Sequence, residues 1–493
     1  MVISPLTRIL SPLVFAVAIA SAAHAAPLPT EDDYYRIATL ATPPDLKLEV
    51  SGIAPLPDGR VAVAIRKGEI WIIENPYAEA PAEPKYQRFA SGLHEPLGLA
   101  YREGAFYVVQ RSELTKIRDT DGDGVADEYL TFAKGWGVTG NYHEYAYGPV
   151  FDREGNAWLT LNCSMGKKLV PDDAWRGWSL KVHPDGTWEP VSGGFRSPSG
   201  LGFNSTGDLF VTDQQGNWFG SGPLLHVERG VFHGHADALA YCKLPGATFR
   251  IDSPLPQNLK TPQAVEQVPH YQAPAIWFPY RKMGMSCTGI LSDSTGGKFG
   301  PFADQLFVGD FTMSLITRVY LEKVKGHFQG ACFPFRQGFQ SAVFRMEWAA
   351  DGSMLVGETN RGWNSLGSRA FGLQRLIWTG KTPFEVQKME ALSDGFRLTF
   401  TAPIAPDSIK APEATKLSSF TYEYHSTYGS DELDVQNLNI QSIEVAPDGL
   451  SAKLTVEGLR AGYVHELHLP GLRSAKGQPL LHDAAYYTLN AIP

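Results

Sequence analysis

The sequence contains no C-x-x-C-H and no C-x-x-C pair. The first absence excludes covalent haem attachment, and the second argues against a zinc ribbon or a thioredoxin-like centre. Cysteine is scarce altogether, with Cys163, Cys242, Cys287 and Cys332 the four present. In an exported chain that even count allows two disulfides, in any of three connectivities. Positive charge is in deficit as well. The net charge of -9 argues against nucleic-acid binding, because phosphates demand a basic surface. Beyond the N-terminus no stretch approaches the roughly 20 apolar residues of a membrane span, so none is expected. Small-molecule and carbohydrate ligands stay open.

What the chain does have is apolar and turn-rich. Of its 493 residues 43% are hydrophobic and 12% aromatic, with Gly 49 and Pro 35. That composition supports a substantial core with many tight turns. The length suggests two domains, or one repeat fold with an appendage. At the N-terminus Arg8 precedes an apolar run from Leu10 to Ala22, and Ala23–Ala25 forms an A-x-A cleavage site. This pattern is a secretory signal peptide over 1–25, which predicts a periplasmic or secreted protein. An N-terminal extension, 26–47, follows it.

The strongest pattern is an internal repeat. Six segments share a small or apolar entry, a turn with Asp or Gly, and an alternating strand: "SGIAPLPDGRVAVAI", "EPLGLAYREGAFYVVQ", "YAYGPVFDREGNAWLTL", "SPSGLGFNSTGDLFVTD", "CTGILSDSTGGKFGPFADQLFVGD" and "SAVFRMEWAADGSMLVGE". Their spacing of about 50 residues suits propeller blades, and the longer fourth interval implies an insertion at about 233–280. The expected fold is therefore all-β, a six-bladed β-propeller over 48–380. Gly52, Gly98, Gly148, Gly200 and Gly289 mark the crowded innermost strands. From 381 to 493 shorter alternating strands predict a C-terminal immunoglobulin-like β-sandwich. In "HELH" strand alternation puts His465 and Glu466 on opposite faces. His425, His465, His468 and His482 are accordingly expected at the surface.

Three stretches carry chemistry. "DTDGDGVADE" sets Asp119, Asp121 and Asp123 at alternate positions before Gly124, with Asp127 and Glu128 following. Converging hard oxygens around a sharp turn are a calcium signature, here of structural use, although position 12 is Leu130 instead of Glu. His143 precedes the third inner strand, between Tyr142 and Glu144. There a neutral imidazole can take a proton from a substrate hydroxyl, and Glu144 either orients it or faces water. Arg196, Lys282 and Arg361 fall at comparable heights in later repeats, with Trp218 and Trp363 nearby. Cations and aromatics together suit an anionic or sugar-like ligand.

The segments "NYHEYAYGPVFDREGNAWLTLN" and "FRSPSGLGFNSTGDLFVTDQQGN", with the sixth repeat, resemble the soluble PQQ-dependent glucose and sorbosone dehydrogenases. The closest likeness is to an exported dehydrogenase-like subgroup often found with cytochrome c domains, and it covers about Leu48 to Gly380. The resemblance implies that His143 is the general base and that Arg196 polarises quinone and substrate oxygens. Ser197 stands where the family has Asn. The "QQGN" turn, Gln215 and Gly216, matches the carbonyl turn that holds calcium beside the quinone. The family's lysine is replaced by Thr312 and Met313, leaving Lys282, Arg336, Arg345 and Arg361 as substitutes. The implied activity is oxidation of a sugar or polyol with PQQ and calcium, passing electrons to a separate cytochrome c. The alternatives are a carbohydrate- or protein-binding propeller without redox chemistry, and a calcium-dependent hydrolase or lyase.

Overall fold

The computed structural model describes residues 1, 28–79, 82–165, 174–411 and 413–493. The expected signal peptide lies outside them. Among the described residues no helix is long and apolar enough to cross a membrane.

The chain is mostly β, in a propeller-type arrangement. The first unit is an antiparallel sheet of Val50–Pro55, Val61–Ile65, Glu69–Glu74 and Lys85–Ala90. Five further four-stranded units begin with Leu99–Arg102, Ala146–Phe151, Gly200–Phe203, Cys287–Ser292 and Val343–Trp348. Each first strand packs on the first strand of the next unit, and the last packs back on the first. In the fourth unit the outer strand, Ile276–Phe278, comes after the insertion, which itself carries the helix Thr261–Gln267. The last unit borrows its outer strand from the N-terminal segment, Tyr35–Thr39, paired with Phe371–Trp378.

Glycine is required where the first strands meet. A Cβ on Gly98 would lie 1.8 Å from the Gly148 carbonyl oxygen, and one on Gly200 would lie 1.9 Å from that of Thr288. The strands enclose a narrow axial cavity of ≈ 100 Å³, with Gly52, Gly98, Gly148, Ser199, Gly289 and Arg345 among its lining.

A second device recurs in the second, fourth and fifth units and ties their loops. The polar residue ending or following the second strand accepts backbone N–H groups from the loop that enters the first strand. Gln110 accepts from His94. Asp310 accepts from Met285 and Ser286 at 2.7 Å each. Asp213 does the same in the fourth unit. Loop amides need acceptors, and these side chains supply them where the sheet ladder ends.

The C-terminal region forms two sheets over one core that includes Met389, Phe396, Leu454 and Tyr487. One sheet is continuous with the fifth unit, because Ala484–Leu489 pairs with His327–Gln337. Phe333 of that unit belongs to the same core.

Two expectations need correction. All four cysteines are free, buried thiols, so no disulfide forms. Nor are the C-terminal histidines all at the surface. His465 is fully buried against Phe396, because alternation turned its face into the core. His482 is enclosed between Glu385 (2.6 Å) and Glu31 (3.0 Å), and Arg336 also pairs with Glu31.

Burial pushes the His482 imidazole down, but Glu385 and Glu31 outweigh it and raise its pKa to about 9. The folded state thus holds a proton that the unfolded chain releases near pH 6.5. This stabilisation is complete below about 6.5 and is lost as pH rises through about 9. We expect the melting temperature to fall between pH 7 and 9, and His482→Asn to flatten that fall. Calorimetry across this range checks it. Gly98→Ala, which forces backbone apart at the axis, should cost about 3 kcal/mol by denaturant unfolding.

Candidate functional site

The site is built on two loops, one entering the third unit and one entering the fourth. In the first loop Glu144 is wholly buried. Its carboxylate accepts from Thr139 N–H at 2.6 Å and Ser164 Oγ at 2.9 Å, and it also bonds the Thr139 hydroxyl. Burial would raise its pKa, but these bonds outweigh it and hold the group ionised below the usual range. Glu144 is therefore a clamp for the loop, neither facing water nor bonded to His143. Arg111 holds the same loop from beneath, donating to the carbonyls of Asn141 (3.2 Å) and Tyr142 (2.9 Å).

His143 is thereby presented in one tautomer. Its Nδ1 lies 2.8 Å from the Cys163 carbonyl oxygen, which can only accept, so Nδ1 carries the proton. Nε2 lies 3.0 Å from Ser197 Oγ and is left as the acceptor. Burial, followed by the charges of Arg196, Arg111 and Arg361, lowers its pKa to about 4, against the raising effect of the Cys163 bond. The ring is neutral, with its basic lone pair on Ser197.

The second loop is set by Asp213. One carboxylate oxygen accepts from Ser197 N–H and Gln214 N–H at 2.7 Å each, and the other accepts from Arg196 N–H at 2.8 Å. Complete burial raises its pKa to about 6, opposed by those three amides. Arg196 Nη1 donates to Ser197 Oγ at 3.2 Å, completing the line Arg196–Ser197–His143. Arg196 Nε is buried with no hydrogen-bond partner among the described residues. Gly216 is needed beside it, because a Cβ there would sit 2.2 Å from Nε.

Around this line the field is cationic. The Tyr145 ring is flanked by Arg111 and Arg361, each 4.4 Å from its centroid. Both guanidiniums share one carboxylate, Glu95. Beside Arg196 opens a pocket of ≈ 420 Å³ whose walls include Met165, Asn217, Trp218 and Ser426. The last of these belongs to the C-terminal region. Its segment 425–429 is laid on the "QGNW" turn by Trp218 N–H to the His425 carbonyl (2.9 Å) and Gly429 N–H to the Gly216 carbonyl (3.0 Å). Tyr428, 64% exposed, lies over the Arg196 guanidinium at 5.3 Å.

Of the residues expected at the site, His143, Arg196, Ser197 and Gly216 come together, with Arg361 beside them. Gln215 is buried and donates to the Gly220 carbonyl at 3.0 Å. Lys282 is not in the cluster. Its Nζ is held by Glu432 and Glu466 of the C-terminal region, at 2.9 and 2.8 Å. The acidic loop lies far out, on the hairpin between Glu113–Arg118 and Glu128–Lys134. There Asp119, Asp121 and Asp127 hold oxygens within 4.8 Å of one another. Asp123 accepts from Val125 N–H instead, and Glu128 pairs with Arg118. Sequence reasoning missed Asp213, Arg111, Glu95 and the 425–429 segment. The polar residue closing "VTD" was a signal for Asp213, repeated in "VVQ" and "VGD".

A propeller-type β architecture with a cationic, histidine-bearing mouth is the class these features define. The chain belongs to the family described as Domain of unknown function (DUF7133), whose model matches residues 81–331. No curated protein matches it in sequence. Its fold is similar to that of a protein from Thermus thermophilus described as a glucose dehydrogenase-type oxidoreductase. The TM-score is 0.50 at 19% identity, over 70% of this chain and 100% of that one. The PQQ-bound aldose sugar dehydrogenase of Streptomyces coelicolor follows, with a TM-score of 0.48 at 15% identity, over 71% of this chain and 99% of that one. The PQQ domain of pyranose dehydrogenase from Coprinopsis cinerea gives 0.47 at 11% identity, over 71% and 98%.

Asp213→Ala should leave three N–H groups, two of them buried, without an acceptor and cost about 3 kcal/mol or more. Asp213→Asn keeps one accepting oxygen and should cost less. Thermal denaturation of the two variants against the unaltered protein measures the difference.

Proposed function

We propose that this protein is an exported oxidoreductase of the glucose/sorbosone dehydrogenase type, acting on a sugar or polyol in the periplasm or outside the cell. In this reading the ring of six units is a six-bladed β-propeller, followed by an immunoglobulin-like β-sandwich. The observation that carries it is the neutral His143. Its Nε2 lone pair is aimed at a hydroxyl, beside a buried guanidinium with one nitrogen unpartnered among the described residues.

The chain's own residues account for the proton side of the reaction. A substrate hydroxyl that takes the place of Ser197 Oγ donates to Nε2, and its proton passes there as the carbinol C–H bond breaks. The Cys163 carbonyl stabilises the imidazolium that forms, through Nδ1–H. Arg196 stabilises the oxygen as it becomes a carbonyl. A carboxylated quinone fits the donor set at this mouth. Arg111 and Arg361 share a single carboxylate, Glu95, and among the described residues Nε of both Arg196 and Arg361 has no hydrogen-bond partner. When bound, PQQ would supply the hydride acceptor, and a separate cytochrome c would take the electrons onward. The Gly216 carbonyl already accepts from Gly429 N–H, so no calcium is assigned there. The Asp119–Asp127 loop is the proposed structural calcium site.

One alternative has a specific observation in its favour. With Lys282 tied to two carboxylates and the Gly216 carbonyl engaged, the mouth also suits an anionic carbohydrate bound without redox chemistry.

Dye reduction with PQQ, calcium and a panel of aldoses and polyols separates the two. We expect turnover that His143→Ala lowers at least about a hundredfold while PQQ affinity stays within a few-fold. Saturable sugar binding without PQQ binding would favour the alternative. Calcium should raise the melting temperature of the unaltered protein and not that of Asp119→Asn. Equal shifts in both would remove the calcium site.

A further inference from the structure

Three side chains on the wall of the Arg196 pocket take no part in the His143 line. Cys163 follows the strand Ala157–Leu161, and His235 and Asp237 sit at the start of the 3-10 turn Ala236–Tyr241. Cys163 is a free, buried thiol. His235 is only 4% exposed, and its Nδ1 has no hydrogen-bond partner among the described residues. A core histidine ordinarily has its ring nitrogens bonded, so this one calls for another explanation. One ligand atom from each of the three lies within 4.8 Å of the other two.

We propose that Cys163, His235 and Asp237 bind a divalent transition-metal ion of the zinc type, with its fourth coordination position open to the pocket. Thiolate, imidazole and carboxylate together suit a cation of borderline softness and not calcium. The two anionic ligands cancel the ion's charge, so the neighbouring Arg196 guanidinium faces a neutral centre. Tetrahedral bonds of about 2.0–2.3 Å place ligand atoms about 3.3–3.8 Å apart. Closing the three onto an ion therefore takes side-chain movement on the order of an ångström. The backbone is already pinned for it. Cys163 N–H donates to the Arg196 carbonyl at 3.1 Å, and His235 N–H donates to that of Gly194 at 2.9 Å. The site borders the His143 line through the main chain of Cys163 and the Arg196 guanidinium, and its existence does not depend on the proposed dehydrogenase activity.

Cobalt(II) titration of the full chain, stripped of metal, tests this. We expect one equivalent to bind with a thiolate-to-cobalt charge-transfer band that zinc displaces. Cys163→Ser should abolish the band. Cys242→Ser, outside this pocket, should keep it. Zinc competition against a chromophoric chelator should show affinity reduced at least about tenfold in His235→Gln and in Asp237→Asn. Circular dichroism on the metal-free variants checks folding, and if Cys163→Ser does not fold, the other two decide. The absence of a charge-transfer band in the unaltered protein would overturn the proposal. So would a band that survives Cys163→Ser, or unchanged zinc affinity in both His235→Gln and Asp237→Asn.

Discussion

The carboxylate of Asp213 carries the candidate site. It is buried without a cationic partner at hydrogen-bond distance among the described residues, and a charge so placed survives only because dipoles replace its lost water. Three backbone N–H groups do so, from Arg196, Ser197 and Gln214. Because the first two are consecutive and bind different carboxylate oxygens, the peptide between them cannot rotate. Their side chains are thus sent in fixed directions, Ser197 to His143 and Arg196 into the neighbouring pocket. Asp310 and Gln110 hold the corresponding loops of other units. The site reuses a structural device of the repeat and adds chemistry to it.

Charge is deployed unevenly across the mouth. Carboxylates are spent on structure: Glu144 clamps the His143 loop, and Glu95 is divided between Arg111 and Arg361. What faces a ligand is mainly cationic, and burial, assisted by the same cations, keeps the imidazole neutral. A neutral base beside a guanidinium whose Nε has no partner among the described residues suits a hydroxyl that must become a carbonyl. Negative charge on its oxygen is favoured there, and the proton has a lone pair to receive it.

The C-terminal region is structurally inseparable from this arrangement. It continues the sheet of the fifth unit through Ala484–Leu489 and takes the charge of Lys282. It also lays the 425–429 segment over the Gly216 turn. Ser426 consequently forms part of the pocket wall beside Arg196, and Tyr428 lies over its guanidinium. An appended domain thus helps shape a site whose chemistry comes from the ring of repeats.

Much of the ring was legible in the chain. Period-two alternation, turns at regular spacing and glycines at the crowded strands are consequences of local geometry, so six repeats and their axial glycines could be read directly. His143, Arg196 and Ser197 could be placed because they precede first strands, and the repeat sets their height. Partnership was not legible. His465 and Glu466 alternate as expected, yet which face met the core depended on Phe396, some 70 residues earlier. Lys282 and Arg196 occupy equivalent positions in adjacent units, and their fates differ. Lys282 meets Glu432 and Glu466 across the domain contact, whereas Arg196 meets a hydroxyl, a glycine and an open pocket. The sequence by itself determined the repeat and the loops that carry charge, since those follow from backbone sterics and hydrophobic period. Only the tertiary structure decided which charges are left free for a ligand, because ion pairing depends on groups brought together from opposite ends of the chain.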